Sequence, residues 1–434
     1  MTAEQTIVAL SSGAGRAGIA VIRISGPEAL DVLDRLASVR PAEREARVRR
    51  LRDRDGETLD EALVLWFAAG RSFTGEDLVE LHCHGGVAIT RAVLDAVLAA
   101  PGCRIAEPGE FTLRAFQNGR IDLAEAEALG DLINAETEVQ RKQSLRMLEG
   151  DLHKRVEAWR SDLMRALAFI EVTIDWADEE VPEDVSPEVA RVLDRLIDDL
   201  KREMQISQSA ERLRLGFEVA ILGAPNSGKS SFINYLAGRE AAITSPIPGT
   251  TRDVVELRYD LGGIPIQFLD MAGLRETDDP IEVEGVRRAV ERAKAADLRL
   301  CFASEDAAFP EAFGDLVMPG DVLVASKCDL YSAAGRDGIS VKTGVGIDAL
   351  LSSVEKIMAE KVSTLGVLGH ARQQEAVARG QEALVLARNQ LETAADEFVA
   401  EHLRVAVGSL ARVIGGIGVE DVLGEVFSRF CLGK

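Results

Sequence analysis

A glycine-rich segment followed by a lysine and a serine has the clearest potential for chemistry in this sequence. Residues 223–230, GAPNSGKS, have the spacing G-x-x-x-x-G-K-[ST] of loops that hold nucleotide phosphates. The segment lies between an apolar run, 219–222, and a helical pattern, which is the context that this motif requires. Backbone N–H groups of such a loop, and the N-terminus of the helix that follows, attract phosphate oxygens. We expect Lys229 to contact the β and γ phosphates and Ser230 to bind Mg²⁺.

Three later segments supply, in the usual order, the other parts of a guanine-nucleotide site. The loop 245–253 offers threonines that can bind Mg²⁺ and sense the γ phosphate. Asp270 in DMAG is placed to hold Mg²⁺ through water, and Gly273 to contact the γ phosphate through its N–H. Asp329 in SKCD is placed to accept both guanine N–H groups, with Lys327 over the ring. The predicted nucleotide-binding residues are Asn226, Ser227, Gly228, Lys229, Ser230, Ser231, Ser245, Pro246, Ile247, Pro248, Gly249, Thr250, Thr251, Asp270, Met271, Ala272, Gly273, Ser326, Lys327 and Asp329, with Ser340, Val341 and Lys342 behind the base.

Two positions differ from the common pattern in ways that affect chemistry. Ser326 replaces the usual asparagine, so we predict weaker guanine affinity with a retained preference for guanine over adenine. Leu274 follows DMAG where a glutamine usually orients the attacking water, so another group must do this. Asn226 with backbone oxygens of 245–250 could hold a monovalent cation near the phosphates, and an acid within 276–284 could position the water. The alternative for that acidic segment is a solvated surface.

The bulk composition indicates a folded, core-forming chain of two or three domains. Its 434 residues exceed one ordinary domain, and 47% are hydrophobic and 28% charged. Neither an apolar run long enough to span a membrane nor a secretory signal is visible, and five scattered cysteines suggest reduced thiols. We therefore expect a cytoplasmic protein. A net charge of −22 argues against tight binding of RNA by this chain unaided, although 40–54 contains seven arginines.

The texture of the sequence changes three times and predicts a multidomain fold. Residues 1–118 mix short β-type runs with helical stretches, which indicates an N-terminal α+β domain. Long helical periodicity follows over 119–210, then strand–loop–helix alternation typical of an α/β domain with a parallel sheet over 211–367, and helices again over 368–434. The simplest interpretation is an all-α helical domain, formed by 119–210 and 368–434, into which an α/β P-loop GTPase domain is inserted.

Segments outside the nucleotide loops make the chain similar to one family. FTGEDLVELHCHGG at 73–86, PGEFTLRAFQNGRIDLAEAEAL at 108–129 and the terminal CLGK at 431–434 resemble signature stretches of the MnmE family of tRNA-modification GTPases, also called TrmE. PNSGKSS, SPIPGTTRD and DMAGLRE match that family's nucleotide loops, which GTPases in general share. The resemblance extends over the whole chain, and the first three segments make it specific.

The resemblance implies a function and partners that the residues alone do not. Members of the family form homodimers through the N-terminal domain, which binds a reduced folate such as 5-formyl- or 5,10-methylene-tetrahydrofolate. Their nucleotide domains bind GTP with Mg²⁺ and are activated by K⁺-dependent pairing. With an FAD-dependent partner, MnmG, they build an aminomethyl or carboxymethylaminomethyl group on C5 of the wobble uridine of certain tRNAs. For this chain we therefore expect a potassium-activated tRNA-modification GTPase without membrane attachment.

The resemblance also assigns roles to individual residues, position by position. The potassium ligands would be Asn226, Ser245, Ile247 and Thr250, and the Mg²⁺ ligands Ser230 and Thr251. The folate contacts would be Arg23, Glu80, Arg120 and Lys434. The catalytic residues would be Glu282, which positions the water, together with Asn226, Lys229 and Cys431. Arginine at 120 and serine at 245 depart from the family's usual lysine and threonine, which keeps the charge at 120 but changes its geometry.

Several alternatives stay open at this level. Without the family, Arg23 and Glu80 could form an ordinary surface ion pair, although arginine suits folate carboxylates and Glu80 suits ring N–H donors. The HCH segment at 82–84 suggests a metal, but a fourth ligand is not visible. Cys431 could be a buried thiol in a docked tail or a reactive group. The rival functions are a ribosome-associated switch or assembly GTPase without modification chemistry, and a folate-binding protein whose nucleotide domain only regulates.

Overall fold

The structure, a computed structural model, describes most of the chain. It covers residues 5–13, 15–175, 186–243, 255–271, 280–304, 311–330, 338–363, 365–416, 420–428, 430 and 433, with the backbone alone at 175, 255, 280–286, 311–313, 420–422 and 425. Backbone contacts divide the chain into a first unit of Met1–Gly130, Leu148–Arg160 and Val407–Lys434, and a second unit of Asp131–Met147 and Ser161–Ala406. The four predicted domain segments are a different division of the chain and stay a prediction.

A six-stranded sheet forms the centre of the first unit. Its strands are β1 (Thr6–Leu10), β2 (Ile19–Ser25), β3 (Arg47–Arg52), β4 (Thr58–Phe67), β5 (Leu78–His84) and β6 (Cys103–Ile105). Their spatial order is β3-β4-β5-β2-β1-β6, and every neighbouring pair is antiparallel except β1 and β6. The alternation of residues in β2 puts Ile22 and Ile24 in the core and turns Arg23 to the other face.

Helices cover the two faces of this sheet unequally. Helices α1 (Ala29–Ala37) and α2 (Val87–Leu98) lie on the face that contains Ile22 and Ile24. Apolar residues of α1 recur every three or four positions, which gives the helix one buried side. Helix α3 (Glu110–Gln117) places Phe111 against Ile7 and Ala9 on the opposite face. The side chain of Arg23 therefore shares its face with α3.

Between α3 and β7 (Phe217–Gly223), the described residues form four helices. They are α4 (Leu123–Asn134), α5 (Glu138–Leu148), α6 (Asp151–Asp175) and α7 (Ser186–Leu215). In α7 the buried residues Val189, Val192, Leu196 and Leu200 recur every three or four positions, as one inward-facing side of a helix requires. The predicted helical character of 119–210 is confirmed for the residues that the structure describes.

A five-stranded sheet forms the centre of the second unit. Its strands are β7 (Phe217–Gly223), β8 (Val255–Leu261), β9 (Ile264–Asp270), β10 (Leu298–Ala303) and β11 (Val322–Ala325), in the order β11-β10-β7-β9-β8. Neighbours are parallel except β8 and β9, which the turn at Gly262 and Gly263 joins as an antiparallel pair. The predicted parallel sheet therefore has one antiparallel edge strand, because so short a turn can join only antiparallel neighbours.

Helices lie on both faces of this second sheet. Helices α8 (Lys229–Ala237) and α10 (Ile347–Val362) pack on one face, where Phe232 lies among the strand residues Phe268 and Phe302. Helix α9 (Pro280–Ala295) places Ala293 against Leu269 on the other face. This arrangement is the layered α/β architecture that the strand–loop–helix alternation predicts.

The last helices are α11 (Ala371–Gln390), α12 (Asp396–Val413) and α13 (Glu420–Ser428). Helix α11 lies along α7, and Arg388 Nε donates to Asp194 Oδ1 at 2.9 Å. This pairing joins the two predicted parts of the helical domain. The predicted fold class, an α+β part, a helical part and an α/β P-loop part, is confirmed. Among the described residues, no helix has the length and apolar character needed to cross a membrane.

Candidate active site

The phosphate loop, residues 223–230, joins β7 to α8 at the carboxyl edge of the five-stranded sheet. Gly223, Asn226 and Gly228 have positive φ angles of 149°, 63° and 98°. A Cβ atom on Gly223 would lie 2.4 Å from the main-chain oxygen of Phe302, so only glycine fits there without a shift. Left-handed backbone conformations turn the loop, and Gly228 leads into the first turn of α8.

The Lys229 side chain lies inside this loop. Its Nζ donates hydrogen bonds to the carbonyl oxygens of Gly223, at 2.7 Å, and Ala224, at 2.8 Å. The residue is only 6% exposed, and a buried ammonium group needs such acceptors. The loop therefore holds the positive charge where the phosphate oxygens of a nucleotide would be within its reach.

Ser230 and Asp270 meet beside the loop. Ser230 Oγ donates to Asp270 Oδ2 at 2.8 Å, and Asp270, the last residue of β9, lies opposite Ile221 of β7. Asp270 Oδ1 is buried and, within the described part of the chain, has no hydrogen-bond partner. A hydroxyl group beside a carboxylate with one unused oxygen suits Mg²⁺, which prefers oxygen ligands. The residues present therefore fit the metal that the sequence predicts.

The segment predicted to recognise guanine follows β11. The Ser326 hydroxyl donates to the Ser227 carbonyl oxygen at 2.6 Å, and the Ala303 carbonyl oxygen is a second acceptor at 3.1 Å. Because a hydroxyl has one proton to donate, Ser326 mainly ties its own segment to the phosphate loop. Lys327, the next residue, has a φ angle of 60°, and Asp329 is exposed.

The segment predicted to lie behind the base forms a tight turn. Ser340 is buried, and its N–H donates to the Val345 carbonyl oxygen at 3.0 Å. Its hydroxyl oxygen accepts the N–H of Thr343 at 3.2 Å. The N–H of Ser340 is thus used within the turn, so main-chain contacts with a base would fall to the next two residues.

Two of the predicted folate residues, Arg23 and Glu80, face each other across β2 and β5. Arg23 Nη2 and Nε donate to Glu80 Oε1 at 2.7 and 3.1 Å, and the side chains are 20% and 18% exposed. Phe111 lies beneath the guanidinium, with its ring centroid 5.9 Å from Cζ, and His82 Nε2 lies 3.3 Å from Glu80 Oε2. The sequence indicates that His82 lies near Glu80, because residues two apart in a strand share a face. It does not indicate Phe111, which contacts Arg23 only because α3 packs on this face of the sheet.

Arg120 lies in a different part of the first unit. It lines a cavity of about 650 Å³ between the end of α3, the start of α6 and the residues after α12, and neither Arg23 nor Glu80 lines this cavity. Lys434 lies outside the described residues, but its neighbour Gly433 accepts a hydrogen bond at 2.9 Å from a serine hydroxyl just beyond β1. Of the three predicted folate residues that the structure describes, Arg23 and Glu80 contact each other.

The HCH segment at the end of β5 alternates between the two faces of the sheet. His84 Nδ1 lies 2.7 Å from Asp60 Oδ1, whereas Cys83 points into the core, where burial raises its thiol pKa to about 12. Among the described residues, no group of three or more His, Cys, Asp or Glu side chains could hold a metal ion. The geometry therefore gives no support to the metal that this segment suggests.

Known proteins match the chain along its whole length. The family model described as MnmE helical domain matches residues 123–431, and the model described as GTP-binding protein TrmE N-terminus matches 6–120. Relatives named tRNA modification GTPase MnmE from Dinoroseobacter shibae, Roseobacter denitrificans and Cereibacter sphaeroides are 51%, 48% and 48% identical. Each alignment covers 99% of this chain and 100% of the relative. The chain belongs to the MnmE family.

Membership of the MnmE family confirms the resemblance and the predicted class of GTP hydrolase. Among solved structures, Aquifex aeolicus Era bound to GDP and AlF4⁻ is 24% identical, with a TM-score of 0.27 over 39% of this chain and 67% of that chain. The G domain of the T. maritima FeoB iron transporter is 24% identical, with a TM-score of 0.24 over 33% of this chain and 98% of that chain. These TM-scores are too low to add to the MnmE assignment.

Part of the predicted MnmE site lies outside the described residues. These residues are Ser245, Pro246, Ile247, Pro248, Gly249, Thr250, Thr251, Ala272, Gly273, Cys431 and Lys434. Glu282 falls in the first turn of α9, of which the structure describes the backbone alone. The roles predicted for these residues stay predictions.

Proposed function

We propose that this member of the MnmE family is a potassium-activated GTPase that modifies C5 of the wobble uridine of certain tRNAs. It acts in the cytoplasm as a homodimer formed through its N-terminal domain, with an FAD-dependent MnmG-like partner, and uses a reduced folate as one-carbon donor. The strongest support is the meeting of Lys229, Ser230 and Asp270 at one loop. The relatives' name, tRNA modification GTPase, supports the substrate class.

Hydrolysis in this proposal begins with nucleotide phosphates held by the loop 223–230. Lys229 exchanges its two carbonyl acceptors for β and γ phosphate oxygens, which bind an ammonium group more strongly because they are charged. Ser230 and Thr251 would bind Mg²⁺ directly, and Asp270 would hold it through water. Bound Mg²⁺ neutralises negative charge on the phosphates. Glu282 positions the attacking water.

Potassium activation depends on Asn226. Its left-handed φ angle of 63° places it at a sharp bend of the phosphate loop. A cation held there stabilises negative charge on the γ phosphate, as an arginine side chain does in other GTPases. Wild-type protein should hydrolyse GTP faster in KCl than in NaCl, and Asn226→Ala should remove that difference. Equal wild-type rates in the two salts would contradict this part of the proposal. The other proposed potassium ligands are Ser245, Ile247 and Thr250.

Guanine preference depends on Asp329. The hydroxyl of Ser326 donates to the phosphate loop, so it does not replace the base contact of the usual asparagine amide. This geometry supports the prediction of weaker guanine affinity with a retained preference for guanine over adenine. A competition assay with labelled GTP and unlabelled ATP measures the preference directly. Comparable binding of the two nucleotides would contradict it.

Reduced folate binds at Arg23 and Glu80 in this proposal. Arg23 suits a folate carboxylate, and Glu80 suits the N–H donors of the ring. The pair is already formed and largely buried, so a ligand meets two charges in fixed positions. Arg120 and Lys434 are the other proposed contacts. Cys431 acts as a reactive group near the modification centre, so Cys431→Ser should keep GTP hydrolysis and lose tRNA modification.

Titration with 5-formyl-tetrahydrofolate tests the folate site. Arg23→Ala should weaken binding roughly 10- to 100-fold, which corresponds to about 1.5–3 kcal/mol for a hydrogen bond to a charged group. Arg50→Ala is the matched control, because it breaks an exposed ion pair with Glu61 on the same sheet and should bind as wild type does. Unchanged binding by Arg23→Ala would remove this residue from the site.

Reconstitution tests the function as a whole. The purified chain, an FAD-dependent MnmG-like protein, unmodified tRNA, GTP, KCl and a reduced folate are combined, and each component is left out in turn. Nucleoside mass spectrometry should detect C5-aminomethyl-type uridine only in the complete mixture.

Two other outcomes of the reconstitution favour the rival functions. Association with ribosomal subunits and no change of uridine would favour a ribosome-associated switch or assembly GTPase. Modification that persists when Asp270→Ala has abolished hydrolysis would favour a folate-binding protein whose nucleotide domain only regulates.

A further inference from the structure

The β8–β9 hairpin links two parts of the nucleotide site. Strand β8 begins directly after the predicted loop 245–253, and β9 ends at Asp270, whose Oδ2 lies 2.8 Å from Ser230 Oγ. Seven residue pairs in unbroken register join the two strands. The turn at 262–263 therefore lies roughly 20 Å from Asp270, at about 3.3 Å for each strand residue.

The turn of this hairpin is tightly enclosed. Gly262 and Gly263 have φ angles of 61° and 87°, and Asp260 Oδ1 accepts the Gly263 N–H at 2.7 Å. A Cβ atom on Gly262 would lie 2.2 Å from Glu355 Oε1, and one on Gly263 would lie 3.5 Å from Val139 Cγ2. Neighbours from α10 and α5 therefore fix the position of the turn.

The first turn of α5 contacts both the turn and a strand of the hairpin. The Val139 N–H donates to the Gly263 carbonyl oxygen at 3.2 Å. Glu136, just before α5, accepts from Arg258 Nη1 of β8, at 3.2 and 3.3 Å to its two carboxylate oxygens. A main-chain hydrogen bond and an ion pair thus join α5 to the hairpin.

Gln140 fixes the same turn of α5 to α7. It is only 9% exposed, and its Oε1 accepts the N–H groups of Glu136, at 3.0 Å, and Thr137, at 3.1 Å. Its Nε2 donates to the carbonyl oxygens of Leu213 and Arg214, in the last turn of α7, at 3.1 and 3.2 Å. These hydrogen bonds hold α5 against the end of α7, and the chain continues from α7 into β7 and the phosphate loop.

We propose that the contact between α5 and the β8–β9 turn couples the nucleotide site to the helical part of the chain. This inference rests on the proposed GTPase function. Because the hairpin is fully paired, it moves as one body, and a shift of Asp270 on nucleotide exchange also moves the turn at 262–263. Helix α5 must then either move with the turn or lose its contact with it. Thermodynamic linkage requires the reverse effect as well. A contact that fixes the position of α5 therefore changes the affinity of the nucleotide site for GTP relative to GDP. Gln140 is the positioning residue, because it holds α5 against α7.

Hydrogen exchange on the full wild-type chain tests this coupling. Exchange of the Val139 amide is followed in peptides covering 136–144, in complexes with GDP and with a non-hydrolysable GTP analogue. The exchange rate should differ between the complexes by at least about fivefold, the lower end of typical coupling between sites. Equal exchange in two saturated complexes would overturn the inference. Failure to bind either nucleotide would instead overturn the proposed GTPase function.

Substitutions give the reciprocal test. Gln140→Glu keeps the side-chain shape but removes the donor to α7, and it should change the ratio of affinities for the GTP analogue and GDP about fivefold or more. Glu136→Ala removes only the ion pair with Arg258 and should change the ratio in the same direction, even where the first variant fails to fold. Arg388→Ala breaks an ion pair between α11 and α7 and should leave the ratio unchanged. An unchanged ratio in Glu136→Ala and in folded Gln140→Glu, or an equal change in the control, would overturn the inference.

Discussion

The two sheets of this chain hold their candidate sites in different places. In the five-stranded sheet the site lies at the carboxyl ends of parallel strands, where β7 enters the phosphate loop and β9 ends at Asp270. In the six-stranded sheet the site lies on a face, where Arg23 of β2 stands opposite Glu80 of β5. Parallel strands gather loops at one edge, whereas antiparallel strands bring side chains together through their register.

Because of this difference, we expect substitutions to impair the two sites in different ways. The nucleotide site consists largely of main chain, and it depends on backbone conformations such as those of Gly223 and Gly228. The Arg23–Glu80 site consists of two side chains that lie opposite each other on paired strands. We therefore expect substitutions to separate nucleotide hydrolysis from folate binding, and the predictions below test that separation.

Each sheet contains one fully buried cysteine, Cys83 in the six-stranded sheet and Cys301 in the five-stranded sheet. The reactivity of the two thiols is therefore a comparison of how well the two cores exclude water. Burial raises the pKa of Cys83 to about 12 and that of Cys301 to about 11, from an ordinary value of 9.0. Because the thiolate is the nucleophile and both thiols are only 1% exposed, alkylation of the native protein should be at least about tenfold slower at either thiol than at an exposed thiol, and slower at Cys83 than at Cys301. Timed labelling with iodoacetamide and peptide mass spectrometry gives both rates. Faster labelling of Cys83 than of Cys301 would reverse the comparison.

Removing the loop lysine should affect one site only. Lys229→Ala should lower kcat for GTP hydrolysis roughly 100- to 1000-fold, because a charge that stabilises the developing phosphate charge is lost. Arg23→Ala should leave kcat unchanged, because Arg23 lies in the other sheet. Phosphate release at saturating GTP measures both variants. A comparable loss of kcat in the two variants would show that the sites are not separable.

The close approach at the phosphate loop should be visible in stability. Gly223→Ala should lower the free energy of unfolding by roughly 2–4 kcal/mol, because the new Cβ would lie 2.4 Å from the Phe302 oxygen. Gly320→Ala is the matched control, since Gly320 has a φ angle of 98° but no atom within 4 Å of an added Cβ. It should lose only about 1–2 kcal/mol, the cost of left-handed backbone. Equal losses in urea unfolding would rule out the close approach as the cause.

The opposite edge of the five-stranded sheet should affect stability with pH but not hydrolysis. Asp297 Oδ2 accepts the Glu218 N–H at 3.0 Å, and burial raises the pKa of this carboxyl above its ordinary value of 3.8. The native state therefore still binds a proton at pH values where the unfolded state has lost it, so stability falls as pH rises through that range. Asp297→Asn should flatten this part of the pH profile of the unfolding free energy. The same slope in both proteins would contradict the assignment.

The residues of the candidate nucleotide site could be named from the sequence because each of its parts is a continuous segment. GAPNSGKS alone identifies Lys229 and Ser230, and the strand before it and the helix after it are both present. The position of Asp270 is predicted by the end of an apolar run, and this run forms β9 in the structure. Local spacing is therefore sufficient to name Lys229, Ser230 and Asp270, and the structure adds the distances at which Lys229 contacts the loop and Ser230 contacts Asp270.

Other features depend on contacts that no local pattern specifies. Arg23 and Glu80 are 57 residues apart and meet through strand register, so only the family resemblance pointed to them. Ser326 and Ser227 are 99 residues apart, and their hydrogen bond depends on where two loops end. The antiparallel pairing of β8 with β9 follows from the short turn at 262–263, which the expectation of a parallel sheet does not include.

The proposed function is tested most directly by nucleoside mass spectrometry of bulk tRNA from a strain that lacks this gene. The strain receives a wild-type copy, an Asp270→Ala copy or an Arg23→Ala copy. We predict that deletion removes C5-aminomethyl-type uridines and that only the wild-type copy restores them, while purified Arg23→Ala protein still hydrolyses GTP. Unchanged uridines in the deletion strain, or restoration by the Asp270→Ala copy, would contradict a modification driven by GTP hydrolysis at this site.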